Sequence, residues 1–273
     1  MRNRITITLR EDIIKEVDKL VNNLTIRSRS QAIEYLLAKT VSNYQIDSAL
    51  ILAGGPNEGF ENSQTHKTMQ LVKGKPILEN IVLLLKERGI KNFVFSCDNM
   101  ANDIMDHFSD GKKFGVDIKY DVSKKPLGMA TAIKSSRNYF DKTFLVWYGD
   151  TLCKFDLADM IRTHSDAKAT ATIALTTVSN PLNYGVVKIH GNRIVDFVEK
   201  PRKKIAESFL VSAGIFLAEP EIFKYINSKM RSLELDLFPK LAKKNLLIGY
   251  PFEGMWLNIN DKAELQKANN LWK

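Results

Sequence analysis

With 273 residues, the chain has room for a front module of about 45 residues and one large α/β domain of about 225 with a sizeable core. The net charge of +9 invites a nucleic-acid reading, but residues 1–44 hold eight Lys/Arg against five Asp/Glu, so DNA binding must rest on pattern and not on overall basicity. No apolar run approaches the roughly 18 residues of a membrane span, and no leader of charged n-region and apolar h-region opens the chain. A cytoplasmic protein without a membrane partner is the expectation. Cys97 and Cys153 lie far apart with no CxxC spacing and read as reduced core residues.

Arg4-Ile5-Thr6-Ile7-Thr8-Leu9 alternates strictly, which predicts a half-buried strand with Arg4, Thr6 and Thr8 on the polar face. Glu11 and Asp12 suit the first turn of a helix carrying Ile13, Ile14, Val17, Leu20, Val21 and Leu24 at helical spacing. After Thr25-Ile26-Arg27-Ser28-Arg29-Ser30, with Ser30 as the expected N-cap, a second helix carries Ala32, Ile33, Leu36 and Leu37. One strand and two short helices enclose no core alone. Two copies paired strand to strand would bury the Ile/Leu face and offer Arg4, Thr6 and Thr8 to a major groove. The amides opening the second helix, with Arg27, Ser28, Arg29 and Ser30 around them, suit a DNA phosphate. The order resembles the ribbon-helix-helix family of dimeric repressors over residues 2–40, which implies DNA as partner and a homodimer or dimer of dimers. A dimerisation arm without DNA function is the plainer alternative.

From residue 45 the pattern changes. Ala49-Leu50-Ile51-Leu52-Ala53 is an apolar strand running into Gly54-Gly55, a turn through which backbone amides can approach a phosphate. Lys67 to Leu78 leads into a helix through about Arg88. A strand near 92–96, a helix near 102–108, a strand near 117–122 and a helix opening at Leu127-Gly128 follow, and Phe144 to Asp150 is an apolar strand ending on a carboxylate. Alternation of this kind predicts an α/β fold with a mostly parallel, doubly wound, Rossmann-type sheet and ligands at the strand C-termini. The four histidines form no ligand spacing and read as surface or loop residues. Trp256 reads as core, and Arg202-Lys203-Lys204 as a solvated loop.

From about 48 to 271 the chain resembles the sugar-1-phosphate nucleotidyltransferases. The matching positions run in order: Leu52-Ala53-Gly54-Gly55, Lys67 before Lys75-Pro76-Ile77-Leu78, Leu127-Gly128, Gly149-Asp150, Tyr184-Gly185-Val186-Val187, Phe197-Val198-Glu199-Lys200-Pro201, Ser212-Ala213-Gly214, Glu234-Leu235-Asp236 and Gly254-Met255-Trp256-Leu257-Asn258. The resemblance implies that Asp150 holds Mg²⁺ with Asn258, that Lys67 sits on the triphosphate, and that Lys200 takes the sugar phosphate. It also implies that Glu199 accepts sugar hydroxyls and that Gly54, Gly55, Gly128 and Gly214 admit base and sugar, beside Tyr184, Gly185 and Ser212.

The family's glycine loop reads Gly-Gly-x-Gly-Thr-Arg-Leu and continues to Pro-Lys. Here Gly54-Gly55-Pro56-Asn57-Glu58-Gly59-Phe60 reaches His66-Lys67 with two fewer residues and no arginine, while Glu58 and Glu61 add negative charge. Losing a cation that acts on developing charge costs several kcal/mol of barrier. The sequence therefore places first a DNA-binding transcriptional regulator whose back domain binds a nucleotide, nucleotide sugar or sugar phosphate. An active Mg-dependent sugar-1-phosphate nucleotidyltransferase, releasing pyrophosphate, is the alternative. The domains expected are 1–44 and 45–273.

Overall fold

Nothing in Ala49-Leu50-Ile51-Leu52 offers a polar side-chain atom, and the whole run is buried in the interior strand β1 (Ser48–Leu52). The structure, a computed structural model, describes residues 6–22, 26–43, 46–63, 65–98, 101–123, 128–202 and 208–273. The chain divides into two compact units, Met1–Gln45 and Ile46–Lys273. Among the described residues no helix is long and apolar enough to cross a membrane.

In the first unit, α1 (Glu11–Leu20) opens on Glu11 and Asp12, as the helix dipole favours. It is followed by α2 (Arg29–Asn43). Ser28, not the predicted Ser30, caps α2: its Oγ accepts from Gln31 N at 3.2 Å, while Gln31 Oε1 accepts from Arg27 N at 2.7 Å. The spacing Ser-x-x-Gln allows this reciprocal pairing, which moves the helix start forward by two residues. Arg29 donates to both carboxylate oxygens of Asp18 (2.6 and 2.8 Å) and so is not free for a phosphate in this arrangement. The predicted strand over residues 4–9 is not formed within Thr6–Leu9, and Arg4 lies outside the described residues. A strand needs a neighbour for its backbone groups, and one copy supplies none among the described residues. Among the described residues of this unit only Val17 and Ala32 are buried, whereas Ile7 and Leu37 stay 49% and 53% exposed.

The second unit is α/β, as the sequence predicts. β1 lies between the parallel strands β4 (Asn92–Cys97) and β6 (Phe144–Tyr148), and β5 (Asp117–Val122) runs parallel beyond β4. Beyond β6 the order is β11 (Leu210–Ala218), β8 (Ala171–Thr177), β12 (Leu247–Pro251), β10 (Arg193–Glu199) and β9 (Gly185–His190). The sheet is therefore mixed, not mostly parallel. β11 runs antiparallel to both β6 and β8, and β9 meets β10 antiparallel because a two-residue turn at Gly191-Asn192 joins them.

Both faces are covered. Leu50, Val94, Val146 and Phe216 share a core with α5 (Met129–Ser135) and α7 (Phe238–Lys243). On the other face Phe95 meets Phe108 of α4 (Ala101–Phe108) edge-on at 5.2 Å. The cysteines are free and buried, and burial raises both thiols, Cys97 to about 12. Two small antiparallel pairs lie outside the main sheet, β2 (Leu71–Val72) with β3 (Lys75–Pro76) and β7 (Thr151–Lys154) with β13 (Met255–Asn258), the second of which sets Asn258 opposite Thr151; the other helices are α3 (Ile77–Glu87), α6 (Leu157–Ala167) and α8 (Lys262–Leu271).

Candidate active site

In a sheet whose order runs outward from β1 to β4 on one side and β6 on the other, the connections leaving these strands diverge and leave a crevice. β1 runs into Gly54-Gly55, β4 into Asp98 and β6 into Gly149-Asp150, all lining a cleft of about 950 Å³ except Gly149. The cleft brings together every predicted nucleotide, sugar and metal residue: Gly54, Gly55, Lys67, Gly128, Asp150, Tyr184, Gly185, Glu199, Lys200, Ser212, Gly214 and Asn258. Asp98 was missed, although Phe93-Val94-Phe95-Ser96-Cys97-Asp98 carries the same signal as Asp150, a largely apolar strand ending on a carboxylate.

On the Gly54 side, Lys67 Nζ donates to Asp150 Oδ2 at 2.6 Å, each side chain only 15% exposed. Asp98 Oδ2 accepts from Gly55 N at 2.6 Å, so a carboxylate already fills one amide of the glycine turn. His66 lies in the loop, as one half of its reading had it, but it is fully buried and not on the surface. Its Nδ1 faces the Thr68 hydroxyl (2.8 Å) and amide (3.4 Å), and its Nε2 faces Gly55 O (3.3 Å). Burial holds this imidazole below its ordinary value, which suits a neutral ring donating through Nε2. His164 is buried as well, between Thr172 Oγ1 (2.8 Å) and Glu219 Oε1 (3.1 Å).

Set against the family pattern without a gap, Gly59 stands where the arginine would be. Its φ is +76°, and a Cβ there would lie 2.0 Å from Asn260 O, so no side chain fits unless the loop moves. Glu61 is turned onto its own backbone, its Oε1 accepting from Gly59 N at 2.9 Å, and it does not line the cleft. Of the two loop carboxylates, only Glu58 adds charge there.

The Thr151 hydroxyl lies 3.4 Å from Asp150 Oδ1 and 3.5 Å from Asn258 Oδ1, and Ile259 N donates to Asp150 O at 2.9 Å. Asp150 and Asn258 thus form a pair of hard oxygen donors at one place. Among the described residues no group of three or more His, Cys, Asp or Glu suits a metal. A pair of oxygens fits Mg²⁺, which is usually held by one or two carboxylates and completes its shell with water and phosphate.

On the sugar side, Gly185 opens β9 opposite Glu199, and a Cβ at Gly185 would meet the Phe197 ring at 2.4 Å. Burial, then the neighbouring Glu234, pushes the Glu199 carboxyl up to about 7 against a smaller opposing pull from Lys200; its Oε2 is buried with no hydrogen-bond partner among the described residues. Glu234 is fixed by the Tyr148 and Ser232 hydroxyls. Lys200 takes a left-handed backbone (φ 44°), held by its amide on Tyr184 O at 3.0 Å, and its side chain stands exposed in the cleft. Gly214 (φ +73°) lies where a Cβ would come within 3.0 Å of the Tyr148 ring, and Ser212 Oγ accepts from Gly214 N at 3.4 Å. Trp256 is a wall of the cleft, not core: it packs edge-on against Tyr184 at 5.4 Å and donates to Ala213 O at 3.0 Å.

Fold and cleft together define a nucleotidyltransferase-like α/β protein with its site at the strand ends. The chain belongs to the nucleotidyl transferase family, whose model matches residues 48–272. It is similar to a UTP–glucose-1-phosphate uridylyltransferase from Synechocystis sp., with 35% identity over 244 residues covering 82% of this chain and 61% of that one. It is also similar to mannose-1-phosphate guanyltransferase 2 from Candida glabrata, with 27% identity over 233 residues covering 82% and 64%. The chain spans about three-fifths of the length of these relatives. A solved UTP-bound UGPase from Acinetobacter baumannii shares the fold, with a TM-score of 0.72 at 22% identity covering 83% of this chain and 93% of that one.

Proposed function

We propose that residues 46–273 transfer a nucleotidyl group from a nucleoside triphosphate to a sugar 1-phosphate. The observation that carries this reading is the Lys67–Asp150 pair, 2.6 Å apart, sharing one cleft with Glu199 and Lys200. An oxygen of the sugar phosphate attacks the α-phosphorus, the bond from that phosphorus to the β-bridging oxygen breaks, and pyrophosphate leaves. Alignment and positive charge dominate such a step. Lys67 neutralises triphosphate oxygens, Lys200 holds the acceptor phosphate, and Glu199 takes sugar hydroxyls. The glycines at 54, 55, 128 and 214 let the backbone approach base and sugar. Asp150 and Asn258 would hold Mg²⁺, which when bound supplies charge against the phosphate oxygens.

The sequence alone placed regulation ahead of catalysis; the activities named for the relatives support transfer chemistry better. Pyrophosphate release from each of four nucleoside triphosphates, with glucose 1-phosphate and mannose 1-phosphate and Mg²⁺, tests the choice. At least one pair turns over well above blank. Release from none, with nucleotide-sugar binding intact, would leave a ligand sensor in its place.

For residues 1–44 we infer a homodimeric DNA-binding ribbon, supported by the exposed Ile7 and Leu37 and by the basic hinge Arg27-Ser28-Arg29-Ser30. Fluorescence anisotropy on duplex DNA is expected to show a steep salt dependence. Changing Arg4 and Thr6 to Ala lowers affinity about tenfold or more. Unchanged affinity would reduce the module to a dimer clasp.

A further inference from the structure

We propose that Asn57 and His66 are positioning residues that hold Lys67 and the glycine turn in register for the nucleotide. The inference rests on the transfer reading above. The family pattern has glycine at 57 and proline at 66, and neither offers a side-chain hydrogen bond. This chain's loop is shorter by two residues and has a polar side chain at both places.

Among the described residues the Asn57 side chain makes three hydrogen bonds, all to this loop and its end at Lys67. Oδ1 accepts from Lys67 N at 2.6 Å, and Nδ2 donates to Phe60 O at 3.0 Å and Thr65 O at 3.3 Å. Phe60 is buried, and its amide returns to Asn57 O at 3.0 Å. Asn57 therefore joins the start of the loop to the residue that carries the ammonium. His66 makes the second tie, from the neighbouring residue back to Gly55 O. Since Gly55 N is on Asp98, the turn is fixed from both its carbonyl and its amide. With the arginine absent and Gly59 barred from carrying one, Lys67 is the cation this loop delivers to the cleft. A displacement of about 1 Å in such a group costs on the order of 100-fold in rate.

A double-mutant cycle on the full chain tests this, with Asn57→Ala, Lys67→Ala and the double variant read both by steady-state kinetics and by calorimetric affinity for MgUTP and MgGTP. Asn57→Ala is expected to lower kcat about 30- to 100-fold while KM for the sugar phosphate moves less than about threefold. The double variant falls no further than Lys67→Ala alone, because Asn57 acts through Lys67. Asn57→Asp, which keeps the acceptor for Lys67 N–H, recovers about tenfold of the loss. His66→Ala weakens nucleotide affinity about tenfold, since it loosens the turn. Thermal melts screen for misfolding, and Asn57→Ser replaces Asn57→Ala if the latter does not fold. Additive losses, or Asn57→Ala within about threefold of wild type, overturn the proposal. Absence of pyrophosphate release from the wild type sinks the transfer reading alone, because the cycle is still read from nucleotide affinity. Absence of affinity for either nucleotide as well sinks both.

Discussion

Asp150→Asn lowers kcat/KM for pyrophosphate release by about 1,000-fold or more, with a smaller change in nucleotide affinity. The substitution keeps the shape of the side chain and removes its charge, and that charge has two tasks. It is the only carboxylate in the Asp150–Asn258 oxygen pair, so a hard cation bound there would lose its anionic ligand. It also holds the Lys67 ammonium at 2.6 Å in a pocket where both side chains are 15% exposed. Removing one donor or cation from a site that stabilises developing charge costs about 10²–10³ in kcat, and here cation and lysine are disturbed together. Stability should fall as well, by about 1–3 kcal/mol, because the Lys67 ammonium is left largely buried without its partner. Pyrophosphate release at saturating Mg²⁺ and a thermal melt check both effects. Activity within tenfold of wild type would remove Asp150 from the chemistry.

The parts of the candidate site at Gly54-Gly55 and Asp150 were legible because they follow strands whose apolar runs are unambiguous. Ala49 to Ala53 and Phe144 to Trp147 are buried throughout, so the polar or glycine residues that follow each run emerge at the sheet edge. The direction of the later strands was not legible. An apolar strand such as Val211 to Ala218 reads the same in either direction, and only its pairing with both β6 and β8 makes it antiparallel. The loop was legible only in part. Its missing arginine and added glutamates are plain in the sequence, but the hydrogen bond from Gly59 N to Glu61 and the ties made by Asn57 and His66 are contacts that composition does not show. The strand expected at Arg4–Leu9 is not formed within Thr6–Leu9, because an alternating pattern marks a face but supplies no neighbouring strand, and none stands beside it among the described residues.

Glu199→Gln should raise stability and lower activity at the same pH, which distinguishes a functional carboxylate from a structural one. An unfolded glutamate ionises near 4.5, whereas Glu199 in its buried position ionises near 7, with Glu234 adding to the rise. Below pH 4.5 both states hold the proton and the stability gained from burying a neutral carboxyl is fully present. Between 4.5 and 7 the unfolded chain releases its proton first, so this contribution drains away and is gone above 7. The rise corresponds to at most about 3 kcal/mol. Glutamine stays neutral throughout, so at pH 8 the variant is expected to melt about 3–8 °C higher than wild type, and at pH 4.5 to melt close to it. Catalysis moves the other way, with kcat/KM falling about 100-fold, because an amide oxygen is a weaker acceptor for sugar hydroxyls than an ionised carboxylate. The buried Oε2, which has no hydrogen-bond partner among the described residues, is the atom on which the trade rests: it is costly in the free protein and, on the transfer reading, would be satisfied by a donor from the sugar. Melting curves at pH 4.5 and 8 for both proteins, set beside pyrophosphate release at pH 8, would refute this if the melting difference did not change with pH.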